Sequence, residues 1–277
     1  MPEGDTIRRT ARSLDAALAG RSVTRLESRD VRVAAAAERL GIVGRTVARV
    51  ESRGKHLLLL FEGGAALHSH LGMHGRWNLA RSPLAGCGAA SVVLEAGAVV
   101  AVCRGAALVE LLSARELARH PALARLGPDL LGDGFDPVRA RARLRACGER
   151  AIAAALLDQA VLAGIGNVYK SEVLFVCGVS PLEPVSALDD AALTALIAAA
   201  RRLMQRNLGA GPRRTTSVLS PLPLHVYRRG GQPCRVCGTP IARIVQGEPA
   251  RSTWFCPTCQ PRVAGPARLH YYPKFRS

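Results

Sequence analysis

Four cysteines near the carboxyl end have the spacing of metal ligands. The sequence CRVC is followed by eighteen residues and then by CPTC. Two turns of this kind present four thiolates in a tetrahedron, the geometry that Zn²⁺ prefers. Because four thiolates fill the coordination sphere, we expect one structural zinc ion and no organic cofactor. The predicted ligands are Cys234, Cys237, Cys256 and Cys259.

The segment between the cysteine pairs, IARIVQGEPARSTWF, alternates in character. This pattern predicts a β-hairpin, so the module would be a zinc-ribbon-like finger. Arg243 and Arg251 would project from it. The sequence alone leaves open whether Arg251 contacts a ligand or is a solvated charge.

The first residues of the chain offer a nucleophile. Removal of Met1 by methionine aminopeptidase would expose the secondary amine of Pro2 beside Glu3. An α-amino group titrates at about 7.7 to 8.0, against about 10.4 for lysine, so more of it is neutral at physiological pH. A carboxyl whose pKa is raised by burial could act as a proton donor, and Glu3 is placed for that role. The same residues also fit an ordinary N-terminus.

A glycine-rich turn in LAGIGNVYK joins two helical stretches. Gly164 and Gly166 would let the backbone come close to another molecule, and amides at the next helix start could bind a phosphate. Asn167 and Lys170 lie at that start. A structural turn between packed helices fits this segment equally well.

The charge of the chain favours a polyanionic partner. The net charge is +17 and the pI is about 10.8, with Lys55, Lys170 and Lys274 as the three lysines, although much of the arginine charge could be solvated surface. No apolar run of about 18 residues is present and the start is charged, so we expect a cytoplasmic protein without a membrane segment. The remaining cysteines, which are expected to be small buried residues, are Cys87, Cys103, Cys147 and Cys177.

The pattern of apolar and turn-forming residues predicts the elements that position these groups. Asp5 can cap a first helix that ends at Gly20. Short β-rich runs from Val23 to about Leu112 predict a β-sandwich or barrel-like domain.

A connector with two proline breakers over residues 117–130 precedes a mainly helical part. Its predicted helices are residues 137–147, 150–163, 167–177 and 187–208. A linker over residues 209–223 leads to the cysteine-bearing end. We therefore predict three domains, namely residues 1–116, 117–223 and 224–277.

Five separated motifs resemble the formamidopyrimidine-DNA glycosylase and endonuclease VIII family, in the same order along nearly the whole chain. They are MPEG at the start, RGKHLLL at 53–59, HSHLGMHG at 68–75, DQAVLAGIGNVYKSE at 158–172 and the cysteine finger. The resemblance implies a multidomain α+β fold. It comprises an N-terminal β-sandwich with a leading helix, a helix-two-turn-helix domain and a C-terminal zinc-ribbon finger.

The resemblance also implies a bifunctional DNA glycosylase and AP lyase of base excision repair. By this likeness Pro2 attacks C1′ of the damaged nucleotide and forms a Schiff base, Glu3 donates a proton, and elimination nicks the strand. Lys55 matches a hairpin lysine that contacts phosphate and assists catalysis. Arg251 matches a finger arginine that takes part in phosphate binding and in the final elimination. The implied partner is damaged DNA, duplex or partly single-stranded, bound by a monomer in a bacterial, nucleoid-associated setting.

Four further residues are predicted to bind DNA. Asn167 matches the family's phosphate-holding asparagine, Lys170 lies at the same helix start, and Tyr227 fits a family position. The family flips the damaged base out of the duplex, and Met73 matches a position where a wedge enters the resulting gap. A core methionine on a β-strand is the alternative for Met73.

Departures from the family pattern bear on the substrate. AVCRGAALVE at 101–110 lacks the Arg-Phe-Gly of the formamidopyrimidine branch, and MPEGDTIRR is nearer to endonuclease VIII. We therefore expect oxidised pyrimidines, such as thymine glycol and 5-hydroxyuracil, as substrates. The Gln-Leu-Tyr wedge of some endonuclease VIII enzymes is replaced by Gly72, Met73 and His74. An 8-oxoguanine glycosylase, a catalytically inactive damaged-DNA-binding protein and, more remotely, a zinc-ribbon transcription or translation factor are the alternatives.

Overall fold

A computed structural model describes residues 1–81, 88–246 and 250–262. Helix α1 (Gly4–Leu18) buries the apolar face that the sequence predicts. The prediction that Asp5 caps this helix is wrong, because Glu3 is the last extended residue and Asp5 already lies in the first turn. Gly20, at a φ of 76°, follows the helix and confirms its predicted end.

Two four-stranded antiparallel sheets follow α1 in the described residues. Their strands are β1 (Val23–Ser28), β2 (Val47–Arg53), β3 (His56–Phe61), β4 (Ala66–His70), β5 (Arg76–Arg81), β6 (Val92–Ala96), β7 (Val99–Arg104) and β8 (Leu108–Leu112). One sheet has the order β1-β6-β7-β5 and the other β2-β3-β4-β8. Side chains of both sheets and of α1 share one apolar core, which confirms the predicted β-sandwich with a leading helix.

Several elements of this region differ from the sequence prediction. Helix α2 (Val31–Arg39) interrupts the expected β-rich run, because the Asp30 side chain caps it. The predicted connector, residues 117–130, contains the end of helix α3 (Ala114–Ala118) and the whole of helix α4 (Pro121–Ala124). Pro121 begins α4 instead of breaking a helix, since the first helical position needs no N–H donor.

Strand alternation gives the β2-β3-β4-β8 sheet two unlike faces. Leu57, Leu59 and Phe61 of β3 point into the apolar core. His56, between the hairpin turn and Leu57, lies on the opposite face. The Asp15 carboxylate of α1 accepts a hydrogen bond of 2.7 Å from the Val50 amide of β2, the end strand of this sheet. This bond fixes α1 on the strand that leads to the β2–β3 turn.

The second part of the chain is helical, as predicted. It contains α5 (Pro137–Arg145), α6 (Ile152–Leu157), α7 (Asn167–Val176), a short 3-10 helix (Val185–Ala187) and α8 (Asp190–Arg206). These helices enclose one apolar core. Helix α6 is shorter than the predicted residues 150–163, because the chain turns at Asp158 and Gln159.

The cysteine-bearing end contains the predicted β-hairpin. Strands β9 (Ala242–Gln246) and β10 (Arg251–Phe255) are paired antiparallel. Phe175 of α7 packs in the same apolar cluster as Cys234, Cys256 and Cys259. The finger is therefore joined to the helical part through α7.

The chain divides into two compact units, Met1–Arg125 and Leu126–Ser277. The three-domain division at residues 116 and 223 stays a prediction. In the part of the chain that the structure describes, no helix has the length and apolar character needed to cross a membrane.

Candidate functional site

The N-terminal residues are held by the start of α1. Glu3 is fully buried, whereas Pro2 is partly exposed. The Glu3 carbonyl accepts a hydrogen bond of 3.0 Å from the Ile7 amide, so the helix grips the chain directly behind Pro2. Of the two residues predicted to supply nucleophile and proton donor, Pro2 is therefore partly open to solvent and Glu3 is enclosed by the protein.

Lys55 lies in the tight turn between β2 and β3. Arg53 and His56 are the last cross-strand pair, which leaves Gly54 and Lys55 as the turn. Gly54 adopts a φ of 58°, a conformation that favours glycine. Because α1 is bonded to β2, Pro2 and Lys55 extend from directly packed elements of the first unit.

A set of four side chains, here called the histidine chain, lies on the sheet face opposite the core. Its members are His56, His68, Glu110 and His120. His56 Nδ1 lies 2.8 Å from His68 Nε2, and His68 Nδ1 lies 2.7 Å from Glu110 Oε1. His120 Nε2 lies 2.7 Å from the same Glu110 oxygen. The chain runs from the residue beside Lys55 to helix α4.

The protons of this chain can be assigned from its partners. His120 Nδ1 accepts from the Leu123 amide at 3.3 Å, so its proton is on Nε2 and faces Glu110. Burial lowers the pKa of His68, and lowers the pKa of His56 to about 3. Both are neutral at pH 7, so His68 donates to Glu110 and accepts from His56.

The histidine chain is not arranged as a metal site. His68, Glu110 and His120 place ligand atoms within 4.8 Å of one another. The His120 nitrogen that faces Glu110 nevertheless carries a proton, whereas a metal ligand presents a lone pair there. We therefore interpret the set as a hydrogen-bonded support of the sheet face.

Met73 is displayed on the turn between β4 and β5. Its side chain is 53% exposed, which excludes the alternative of a core methionine on a strand. The turn is closely packed, since a Cβ at Gly75 would lie 2.3 Å from the Leu71 carbonyl oxygen. The prediction that Met73 enters DNA stays untested, but the side chain is available for it.

The glycine turn before α7 is built around Gln159. The Gln159 amide donates to the Leu157 carbonyl at 2.8 Å and to the Ile165 carbonyl at 3.0 Å. Its oxygen accepts from the Gly164 amide at 3.0 Å, and Gly164 has a φ of 103°. Asn167, the first residue of α7, is partly exposed.

Two other predicted DNA-binding residues are buried. Lys170 is 1% exposed and Tyr227 is 9% exposed. The Tyr227 ring packs edge-on against Trp254, with ring centroids 4.6 Å apart. Its amide donates to the Glu172 carboxylate at 2.8 Å. Direct contact of Lys170 and Tyr227 with DNA stays a prediction.

The four predicted zinc ligands converge. The Sγ atoms of Cys234 and Cys259 are 3.8 Å apart, and those of Cys237 and Cys256 are 3.4 Å apart. Four thiolates about 2.3 Å from a tetrahedral zinc ion have a similar spacing. The residues therefore fit a structural zinc, and no coordination position is left for substrate. Arg251 begins β10 in the finger and is exposed.

Comparison with known proteins decides the family. The Formamidopyrimidine-DNA glycosylase N-terminal domain matches residues 1–104, its H2TH domain matches 126–218, and the zinc finger found in FPG and IleRS matches 231–262. The "Probable endonuclease 8 2" of Streptomyces coelicolor is 44% identical over 273 residues, 96% of this chain and 95% of that protein. The chain belongs to the formamidopyrimidine-DNA glycosylase and endonuclease VIII family.

Two further similarities agree with this family. The "DNA-(apurinic or apyrimidinic site) lyase Nei2" of Mycolicibacterium smegmatis is 40% identical over 261 residues, 94% of this chain and 99% of that protein. The solved complex of Lactococcus lactis Fpg with an abasic site containing DNA is 25% identical with a TM-score of 0.78, and the match covers 94% of this chain and 100% of that chain. As a family member, the chain is a DNA-repair enzyme of the glycosylase and AP lyase class.

The sequence analysis did not predict two buried hydrogen-bonded features, the histidine chain and the Glu172 carboxylate. The alternation of His68 and His70 at the period of a strand was a usable signal, because both must share one face. Glu172 is fully buried and accepts hydrogen bonds from the amides of residues 225, 226 and 227. No local pattern indicates that role.

Two of the remaining cysteines, Cys103 and Cys177, are buried thiols, as predicted. Burial raises the pKa of Cys103 and of Cys177 to about 12, so neither is a reactive thiolate at neutral pH. Cys147 is partly buried, and Cys87 lies outside the described residues.

Zinc content tests the finger and the histidine chain together. We expect one zinc per chain by elemental analysis, lost in Cys256→Ser together with duplex affinity, because a structural zinc contributes about 10 to 16 kcal/mol to such a module. Cys177→Ser is the matched control and should keep its zinc. A second zinc that disappears in His120→Ala would contradict the proton assignment.

Acid sensitivity tests the neutral state of His56 in the histidine chain. An unfolded histidine titrates at about 6.5, so between that pH and the lowered pKa of His56, about 3, only the unfolded chain takes up the proton. The free energy of unfolding should therefore decrease as the pH is lowered from about 6.5 to about 3. Urea unfolding followed by Trp77 fluorescence in a Trp254→Phe background measures it. An equal fall in a His56→Leu variant would show that His56 is not the cause.

Proposed function

We propose that this chain is a bifunctional DNA glycosylase and AP lyase whose N-terminal Pro2 is the nucleophile. The observation that carries the proposal is the partly exposed Pro2 directly beside the fully buried Glu3. An α-amino group that titrates at about 7.7 to 8.0 is partly neutral at physiological pH, to a far larger extent than a lysine side chain that titrates at about 10.4. The fixed start of α1 supports its use as a nucleophile.

The proposed reaction has two stages. The Pro2 nitrogen bonds to C1′ of the damaged nucleotide, and the bond from C1′ to the base breaks, so that the base leaves with the proton that the Pro2 nitrogen loses. The C1′–O4′ bond then opens, O4′ takes a proton from Glu3, and an iminium forms between Pro2 and C1′. A C2′ proton then passes to solvent, its electron pair forms a C2′–C3′ double bond, and the C3′–O bond breaks so that the 3′ phosphate leaves and the strand is nicked. Water finally releases Pro2 from the sugar.

DNA binding in this proposal combines charge with placed donors. The net charge of +17 supports non-specific attraction to the phosphate backbone. Lys55, Asn167 and Arg251 are the proposed phosphate contacts, and all three are at least partly exposed. Lys55 also assists catalysis, and Arg251 the final elimination.

The proposed substrates are oxidised pyrimidines. The link between β7 and β8 consists of Gly105, Ala106 and Ala107, so it offers no large side chain to fill a gap in the duplex. The adjacent β4–β5 turn offers Met73 instead. This combination supports the endonuclease VIII branch, with thymine glycol and 5-hydroxyuracil as substrates.

Replacement of Pro2 tests the nucleophile. In Pro2→Gly, cleavage of a duplex with an abasic site should fall by about 100-fold, because the primary amine lacks the fixed ring that orients the attack. Binding to an uncleavable abasic analogue, measured by fluorescence anisotropy, should stay within about threefold. Unchanged cleavage in Pro2→Gly would exclude the proposed mechanism, and an inactive wild-type protein that binds damage would favour the non-catalytic alternative.

A panel of lesion duplexes tests the substrate. Single-turnover rates on duplexes with thymine glycol or 5-hydroxyuracil should exceed the rate on 8-oxoguanine by at least about tenfold, or about 1.4 kcal/mol. Undamaged duplex of the same sequence is the control. A preference for 8-oxoguanine would move the enzyme to the formamidopyrimidine branch.

A further inference from the structure

Lys170 is a buried cation within the second unit. Its side chain is 1% exposed, although lysine is among the residues least often buried without a partner. Burial of an ammonium group is costly unless hydrogen-bond acceptors surround it. The acceptors of Lys170 therefore indicate what the residue does.

Two acceptors come from different parts of the second unit. Lys170 Nζ lies 2.7 Å from Asn167 Oδ1, one turn earlier on α7. It also lies 3.1 Å from the carbonyl oxygen of Ser252 on β10 of the finger. The finger thereby holds the ammonium in place at the start of α7.

This contact decides the orientation of the Asn167 amide. An ammonium group only donates hydrogen bonds, so the atom facing it must be the Asn167 oxygen and not the nitrogen. The NH₂ group of Asn167 consequently points away from Lys170. Because Asn167 is the first residue of α7, that NH₂ group lies at the helix start, where it can act as a hydrogen-bond donor.

We propose that Lys170 is a positioning residue that orients the Asn167 amide for a DNA phosphate. This inference rests on the proposed function, since it assumes that Asn167 contacts DNA. It differs from direct binding of DNA by Lys170, because the ammonium stays inside the protein. Without Lys170, the amide is free to turn its oxygen toward the phosphate, which repels it.

A double-mutant cycle tests the proposal in the full-length, zinc-loaded protein. The probe is a duplex with a tetrahydrofuran abasic analogue, and the readout is Kd. Asn167→Ala and Lys170→Met should each weaken binding by about tenfold, the effect of a lost hydrogen bond to a charged group. Because both remove the same donor, the double variant should bind within about threefold of Asn167→Ala.

Val173→Ala is the matched control. Val173 is a fully buried residue of the same helix, so its truncation perturbs α7 without touching Asn167. Any effect on Kd should multiply with that of Asn167→Ala. If the effect of Lys170→Met also multiplies, giving about a hundredfold loss, the proposal is overturned. A slope of log K against log salt that falls by about 0.9 in Lys170→Met would assign Lys170 to a direct phosphate contact and overturn it too.

A second variant avoids dependence on the folding of Lys170→Met. In Asn167→Asp a carboxylate oxygen still accepts from Lys170, while a second oxygen replaces the outward NH₂ group. Its melting temperature should be no lower than that of wild type, and its Kd should be weaker than that of Asn167→Ala. A melting temperature below that of Asn167→Ala would overturn the pairing.

These results separate the inference from the proposed function. A wild-type protein that cleaves abasic duplex through Pro2 but gives an additive cycle disproves only the role of Lys170. A wild-type protein without preference for the abasic analogue over undamaged duplex disproves both.

Discussion

A reactive chain terminus needs an immobile support, because terminal residues lose their geometry unless tertiary contacts hold them. In this protein the support begins at Glu3, the residue that follows Pro2. Glu3 is fully buried, helix α1 starts directly after it, and the Asp15 carboxylate bonds the helix to β2. The same strand leads into the turn that carries Lys55. The positions of the proposed nucleophile, the proposed proton donor and the hairpin lysine therefore depend on how firmly α1 packs on its sheet.

Buried polar groups give the remaining exposed groups their positions. His56 and His68 are neutral, and hydrogen bonds link the histidine chain from His56 to His120, so these polar groups on the sheet face behind Lys55 have hydrogen-bond partners. In the second unit Gln159 shapes the turn before Asn167, and Glu172 collects the amides of residues 225–227. Gln159 and Glu172 thus hold backbone segments in place through hydrogen bonds to backbone groups.

Local sequence spacing could predict part of this structure. The cysteine quartet and the finger hairpin follow from short-range patterns, and both were predicted with the correct residues. The burial of α1 follows from its periodicity, but its cap does not, because Glu3 supplies the cap position through backbone conformation alone. The nucleophile role of Pro2 was predicted from the resemblance of five motifs to the family, because no pattern in the residues around a terminal proline indicates such a role.

Long-range register accounts for what sequence reasoning missed. The histidine chain requires β3, β4 and β8 to pair so that His68 lies opposite Glu110, a contact across 42 residues. Lys170 was predicted to bind DNA, and its burial against Ser252 could not be predicted because that acceptor is 82 residues away. Such contacts depend on the assembled fold and leave no trace in a window of neighbouring residues.

The most direct test of the account is to locate the covalent bond between protein and sugar. Borohydride reduction during the reaction with abasic DNA, followed by proteolysis and mass spectrometry, identifies the attached residue. The account predicts a conjugate on the N-terminal peptide, on the nitrogen of Pro2 and with Met1 absent. A conjugate on Lys55 or another side chain, or none in an active reaction, would contradict it.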